Sequence, residues 1–455
     1  MQQFRFQLIV SSRPQQITAM SDPKMLTNES VLPRHLGLFG LWLLVVNGLI
    51  GAGIFGLPGG AAKLAGEYSP LIYLFCALLI LPILLCMAEL ASYFRGSGGP
   101  VRYGTAAFGP FIGFQAGWLY YIARLVSFAA NTVLLVDSIG YFWPAATAGI
   151  NRSILLSVII ASLTFINVVG SVRAMRSLAL LTVIKFAVLI LLVVAGAAYL
   201  GGQVLPGFNP ATVFNSPHNI GAATLLLIYA FVGFESVVVP AGEAKNPARD
   251  MPRALILGLL LVTLLYIGIQ LVSVAAVPDI ASSANPLLDV AASLFGTAGA
   301  VVLMLGVVAS VAANLLGAIF STPRASFALA EDGSLPRWFA AVQPRFLTPA
   351  NSIVFFGVLA LLLTLYGSFL WLAAATVVSR LLLYGLTCAA VPVLRPKLAA
   401  SDSFVLPLGY SIPVLGLAAC GWLALQVSLS SVLATTLFVL LGTALYFLAR
   451  WQAKR

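Results

Sequence analysis

Twelve apolar runs of bilayer-crossing length leave this chain few folds to choose from. They fall at about 38–65, 70–94, 106–136, 153–170, 177–200, 221–241, 254–277, 296–322, 351–367, 369–394, 404–426 and 430–450. A run of roughly 18 or more apolar residues coils into a helix that crosses the hydrocarbon. With 61% hydrophobic and 8% charged residues, little is left over for a soluble domain. The expectation is an all-α membrane protein of twelve transmembrane helices, which puts both ends on one side. Residues 1–36 hold Pro14, Pro23 and Pro33, lack the pattern of a cleavable signal and read as a cytoplasmic tail, with 451–455 as a second, short one.

Two of the runs are interrupted. Gly48-Leu49-Ile50-Gly51-Ala52-Gly53-Ile54-Phe55 places three glycines in six positions, which is poor material for continuous helix. Unwinding there frees backbone amides and carbonyls that lipid cannot satisfy, so the segment must face protein or a water-filled cavity. A second interruption is expected at Tyr229-Ala230-Phe231-Val232-Gly233-Phe234-Glu235. Paired broken helices point to the substrate site of a transporter.

The basic residues set the orientation. With the amino terminus in the cytoplasm, all but five of the 24 Lys and Arg fall in cytoplasmic segments: Lys63 and Arg152 lie outside, and Arg124, Lys185 and Arg380 lie within spans. This distribution also accounts for the net charge of +11 and argues against a nucleic-acid partner. Cys76, Cys86, Cys388 and Cys420 all sit inside apolar runs, with neither metal spacing nor a disulfide framework. The external connection 138–152 has no cysteine, so no disulfide-linked accessory subunit is expected.

Charged and polar residues inside spans are the candidates for function. Arg124 follows Gln115, Trp118, Tyr120 and Tyr121 in the third run; it is either paired with carbonyls or a carboxylate such as Asp137, or part of the permeation path. One of Tyr120 and Tyr121 is expected to face inward. Lys185 lies roughly 13 Å into the membrane from Arg176, where it either snorkels or turns inward towards carbonyls freed by the first break. Glu235 is a gate, a proton site or a satisfied structural acid. Ser310 and Asn314 share one face of the eighth helix, as interhelical glue or as contacts for Lys185. Arg380 and Tyr384 read as structural. The last two runs read as peripheral scaffold or a dimer face.

Asn47 to Phe55 resembles the first-helix signature of amino acid permeases of the amino acid–polyamine–organocation (APC) superfamily. Further stretches agree in order: Ser97-Gly98-Gly99-Pro100 through Phe108-Gly109-Pro110, Gly113 to Trp118, Phe231 to Glu235 with Glu243 to Pro247, and Pro323-Arg324 with Glu331 to Pro336. The resemblance implies a leucine-transporter-like core. Residues 37–200 would form its first five-helix repeat and 221–395 an inverted second, with two extra helices at 404–450. It also implies that the amides of Gly51, Ala52 and Gly53 hold a substrate carboxylate, while carbonyls near Leu49, Tyr229 and Val232 receive an ammonium, with Ile50, Phe231 and Gly233 in the same substrate site. Half-helix dipoles favour that placement. Ala52 stands where some relatives have serine, which removes one contact to the carboxylate. Lys185 matches members that work without sodium, with Asn314 and then Ser310 as its implied partners.

The function so implied is secondary active transport of amino acids across the plasma membrane, that of a bacterial inner membrane, by proton coupling or exchange, as monomer or homodimer, with no cofactor or metal. Tyr229, Phe231, Phe234 and the tyrosines of the third run suggest a small to medium, uncharged side chain. A cationic amino acid or polyamine is the alternative if Glu235 points into the cavity. A sensor would keep the breaks without transport. An enzyme is disfavoured: His35 and His218 lie near span ends and no nucleophile motif appears.

Overall fold

The computed structural model describes residues 36–94, 99–169, 178–204, 219–238, 241, 244–398 and 403–453. The amino-terminal tail to residue 35, the turn at Gly96-Ser97-Gly98, Glu243, Arg95, Arg173, Arg176, Lys454, Arg455 and both histidines lie outside them.

The described residues form α-helices almost throughout. In chain order they are α1 (Leu38–Leu49), α2 (Gly53–Ala65), α3 (Ser69–Tyr93), α4 (Pro100–Phe108), α5 (Pro110–Phe142), α6 (Ile150–Val169), α7 (Leu178–Leu200), α8 (Ile220–Phe231), α9 (Glu235–Val238), α10 (Pro247–Ala276), α11 (Pro286–Glu331), α12 (Ala350–Tyr366), α13 (Phe369–Leu398), α14 (Ser411–Ala424) and α15 (Leu429–Ala453). Eight helical segments are long and apolar enough to cross a bilayer, and α1, α8, α12 and α14 are shorter apolar helices. The twelve expected runs thus each hold helix, with α1 and α2 sharing the first and α8 and α9 the sixth.

Burial sorts these helices. In α5, 83% of the most apolar window is buried, against 17% in α6 and 22% in α15. The reason is legible along α5: Gly113 and Gly117 permit close approach, and Trp118 stacks on Tyr121 with ring centroids 5.2 Å apart. Around it pack α11 and α13, while α1 lies against α10 and α2 against α8. These contacts bring the two interrupted helices into one place. The four cysteines are free and buried, as small apolar side chains in the packing.

At the two ends of the bundle, ion pairs tie helices together. Arg152 meets Asp137 at 3.3 Å. Near the far end of α3, the buried Glu89 accepts from Arg395 Nε (2.7 Å) and Nη2 (2.8 Å), from the amide of Leu406 (2.9 Å) and from the Tyr93 hydroxyl.

Candidate functional site

The first break is narrower than its sequence suggests. Ile50 takes extended φ/ψ of −83° and 92°, α2 resumes at Gly53, and only Ile50–Ala52 leave the helix. Gly48 stays helical and serves close approach instead: a Cβ there would lie 2.6 Å from the carbonyl oxygen of Gly233. The second break is also shorter than expected. Tyr229, Ala230 and Phe231 remain in α8, Val232 is extended, and Gly233 turns the chain at φ +113° before α9 begins at Glu235. The breaks therefore touch backbone to backbone through two glycines.

Carbonyls released by the first break are taken by side chains from three other helices. Lys185 Nζ donates to the Asn47 carbonyl (3.2 Å), to Asn47 Oδ1 (2.7 Å) and to the Ile50 carbonyl (2.6 Å). The Tyr266 hydroxyl donates to the Leu49 carbonyl at 2.9 Å and the Ser310 hydroxyl to that of Gly51 at 3.3 Å. Leaving such groups bare at bilayer depth costs several kcal/mol each, roughly. Asn47 is thus the side-chain partner of Lys185, in place of Asn314 and Ser310; both of these sit on α11 beside Gly51, with Asn314 Nδ2 at 3.0 Å from where a Gly51 Cβ would be. On the amide side, Ala52 N donates to Asn131 Oδ1 at 3.2 Å.

Glu235 is fully engaged. Arg380 Nε donates to its Oε1 at 2.6 Å, the Tyr384 hydroxyl to its Oε2 at 2.9 Å and the Gly233 amide to Oε2 at 2.8 Å. Arg380 also reaches the Ala123 carbonyl at 3.4 Å. All three side chains are buried. Arg380 and Tyr384 hence form one unit with Glu235 and fix the turn at Gly233, a link between residues 145 positions apart that periodicity cannot show.

Between the breaks lies a cavity of about 20 Å³, lined by Gly48, Leu49, Gly51, Ala52, Gly53, Tyr229, Val232 and Gly233 from the broken helices, by Arg124, Ser127 and Asn131 from α5, and by Asn314 and Arg380. That is room for about one water. A solute larger than water enters only when these elements separate. Several aromatic residues expected here are turned elsewhere by helical phase. Phe231 packs against Tyr73 and Tyr266 at 6.2 and 5.5 Å, Phe234 stacks on Tyr384 at 5.4 Å, and Tyr121 is stacked on Trp118. Neither Tyr120 nor Tyr121 lines the cavity. Arg124, by contrast, does line it, and Asp137 is committed to Arg152 instead.

A family model described as amino acid permease matches residues 36–449. The chain belongs to that family. It is similar over nearly its whole length to a branched-chain amino acid permease of Bacillus subtilis, 27% identical and covering 93% of this chain and 94% of the relative. The serine/threonine exchanger of the same organism is 27% identical, covering 92% and 97%, and its methylthioribose transporter is 27% identical, covering 92% and 93%. Among solved structures, MhsT in complex with L-phenylalanine superposes with a TM-score of 0.62 at 15% identity, over 87% of this chain and 99% of that one. At that identity the likeness shows the fold, that of the leucine-transporter class. The chain is an amino acid transporter of the APC superfamily and not an enzyme.

Proposed function

We propose that this protein is a secondary active carrier that moves amino acids across the plasma membrane by alternating access, without sodium, with both termini in the cytoplasm. One observation carries the reading: two helix ends meet at Gly48 and Gly233 in the bundle interior, with an ammonium, that of Lys185, bonded to the carbonyls at the first break. An N-terminal half-helix end at Gly53 attracts a carboxylate, and a C-terminal end at Phe231 attracts an ammonium. A zwitterion placed between them satisfies both. Lys185 places an ammonium next to unwound backbone, the role a bound cation plays in carriers of this fold, and so supports proton coupling or exchange over sodium coupling. The repeats 37–200 and 221–395, twelve crossings and helices at 404–450 as an addition belong to the same reading.

The cationic and polyamine alternative loses its basis, since Glu235 is bonded by Arg380, Tyr384 and Gly233 and no carboxylate lines the cavity among the described residues. Phe231 and Phe234 are turned into neighbouring packing and neither Tyr120 nor Tyr121 lines the cavity, so of the residues behind the expected uncharged side chain Tyr229 alone lines it. Uptake of labelled amino acids into sodium-free proteoliposomes tests the proposal. Accumulation or counterflow is expected; binding without movement would make the protein a sensor, and a strict sodium requirement would remove Lys185 from the coupling role.

A further inference from the structure

The cavity holds a charge that no carboxylate among the described residues answers. Arg124 lines it from α5, its Nε is buried without a hydrogen-bond partner, and it makes no ion pair among the described residues. An unanswered cation at bilayer depth is costly and marks a pathway or a ligand. No carboxylate lines the cavity among the described residues, and the buried acids of the bundle are spoken for: Asp137 on the same helix by Arg152, Glu235 by Arg380 and Tyr384, and Glu89 by Arg395. Lys185 adds a second positive group behind the first break. With Arg380 neutralised by Glu235, the site carries excess positive charge before any substrate arrives.

Position along α5 says which part of a substrate would meet Arg124. Arg124, Ser127 and Asn131 face the cavity at helical spacing. Asn131 marks the amide end of the first break through its bond from Ala52 N. Arg124 lies two turns away on the same face, about 10 Å along the axis by backbone position, so its guanidinium enters the shared cavity from a different level of α5 than Asn131 and can meet a second carboxylate of the same substrate. We infer that the site takes an amino acid with a second carboxylate, of the length of aspartate or glutamate, and that Arg124 binds that distal group. Arginine suits it because its planar fork pairs with both oxygens of a carboxylate. Selection works by charge: an isosteric amide leaves the guanidinium without its counter-ion, so glutamine and asparagine are rejected although they fill the same space.

This rests on the carrier reading, and the test separates the two. Purified wild-type protein in proteoliposomes is assayed with L-glutamate against L-glutamine and L-aspartate against L-asparagine, as competitors of uptake and as stabilisers against thermal unfolding. At least a ten-fold preference for an acid over its amide is expected. Arg124→Gln is expected to erase that ratio whatever the absolute activity, and Arg124→Lys to keep part of it. Equal or better use of the amides overturns the inference and leaves the carrier standing, whereas no response to any amino acid overturns both. An acid preference that survives Arg124→Gln removes Arg124 from the role. Should Arg124→Gln not fold, the wild-type acid-to-amide ratios still decide.

Discussion

Lys185 and Asn47 are joined twice, through the asparagine side chain at 2.7 Å and its backbone carbonyl at 3.2 Å, while the same ammonium holds the Ile50 carbonyl at 2.6 Å. One side chain from α7 thus ties the last turn of α1 to the first residue of the unwound segment. Thr182, one turn earlier on α7, donates to the same Asn47 Oδ1 at 3.1 Å.

That geometry makes Lys185 sensitive to truncation. Lys185→Met strands the Ile50 and Asn47 carbonyls and leaves Asn47 Oδ1 with Thr182 alone, and an unsatisfied buried acceptor costs about 1–3 kcal/mol. We expect a lower apparent Tm in detergent and, where protein remains folded, uptake that no longer responds to an imposed pH gradient. Transport measured at matched and opposed pH across the vesicle checks the second part. A variant that answers protons as the wild type does would reduce Lys185 to a structural tie.

Glu235 and Arg380 form a fully buried pair at 2.6 Å, with Tyr384 as a third member. Removing one partner leaves the other charge bare, which costs about 3–5 kcal/mol, while replacing both with apolar groups of similar volume is close to neutral. Glu235→Leu and Arg380→Met are each expected to unfold at clearly lower temperature, and the double substitution to recover most of the loss. Tyr384→Phe should cost about 1.5–3 kcal/mol, the worth of a hydrogen bond to a charged group. Thermal unfolding followed by size-exclusion chromatography of the four proteins measures the cycle; additive losses would show that the pair acts as two independent sites.

The breaks themselves were readable because glycine clusters contradict a helix-forming context, and Lys185 because its depth left few places for an ammonium to go. Their extent was not readable. Gly48 looks like a helix breaker, yet it remains in α1 and is small because Gly233 approaches it, a reason that lies in the other break, 185 positions away. The same limit hid Asn131, whose value lies in one bond to Ala52 N across 79 positions, and Asn47, which periodicity assigns only to the end of a helix. Aromatic residues misled for a related reason: composition placed Phe231 and Phe234 near the site, but orientation about the helix axis turned both rings into neighbouring packing.

Close approach at the breaks predicts the sign of two glycine substitutions. Alanine is a better helix former than glycine by about 1 kcal/mol, so Gly385→Ala in α13, where an added Cβ meets nothing within 4 Å, should be neutral or slightly stabilising. Gly48→Ala puts its Cβ 2.6 Å from the Gly233 carbonyl oxygen and 3.0 Å from Ser236 Oγ. Overpacking of this kind costs about 1–3 kcal/mol and outweighs the propensity gain. Lower Tm and loss of uptake are expected for Gly48→Ala, with Gly385→Ala unchanged in uptake. Equal behaviour of the two would mean that the breaks separate freely and do not define the site.

Glu89 gathers donors from three stretches of chain: Tyr93 on its own helix, Arg395 on α13 and the amide of Leu406 just before α14. Its side chain is wholly buried while that of Arg395 is 11% exposed, so the two ends of this pair stand unequally. Glu89→Gln keeps the shape but removes the charge that holds a bidentate guanidinium, and a charge-assisted bond is about twice as strong as a neutral one. Arg395→Gln leaves the carboxylate buried with only the tyrosine and one amide, and the better-hidden charge suffers more from desertion. Arg395→Gln is therefore expected to lower the apparent Tm more than Glu89→Gln, since in the latter Arg395 can still turn towards the Gly409 carbonyl it already holds at 2.7 Å and towards water. Ranking the two variants by thermal unfolding checks the argument, and a reversed order would place the main burden of the pair on the arginine.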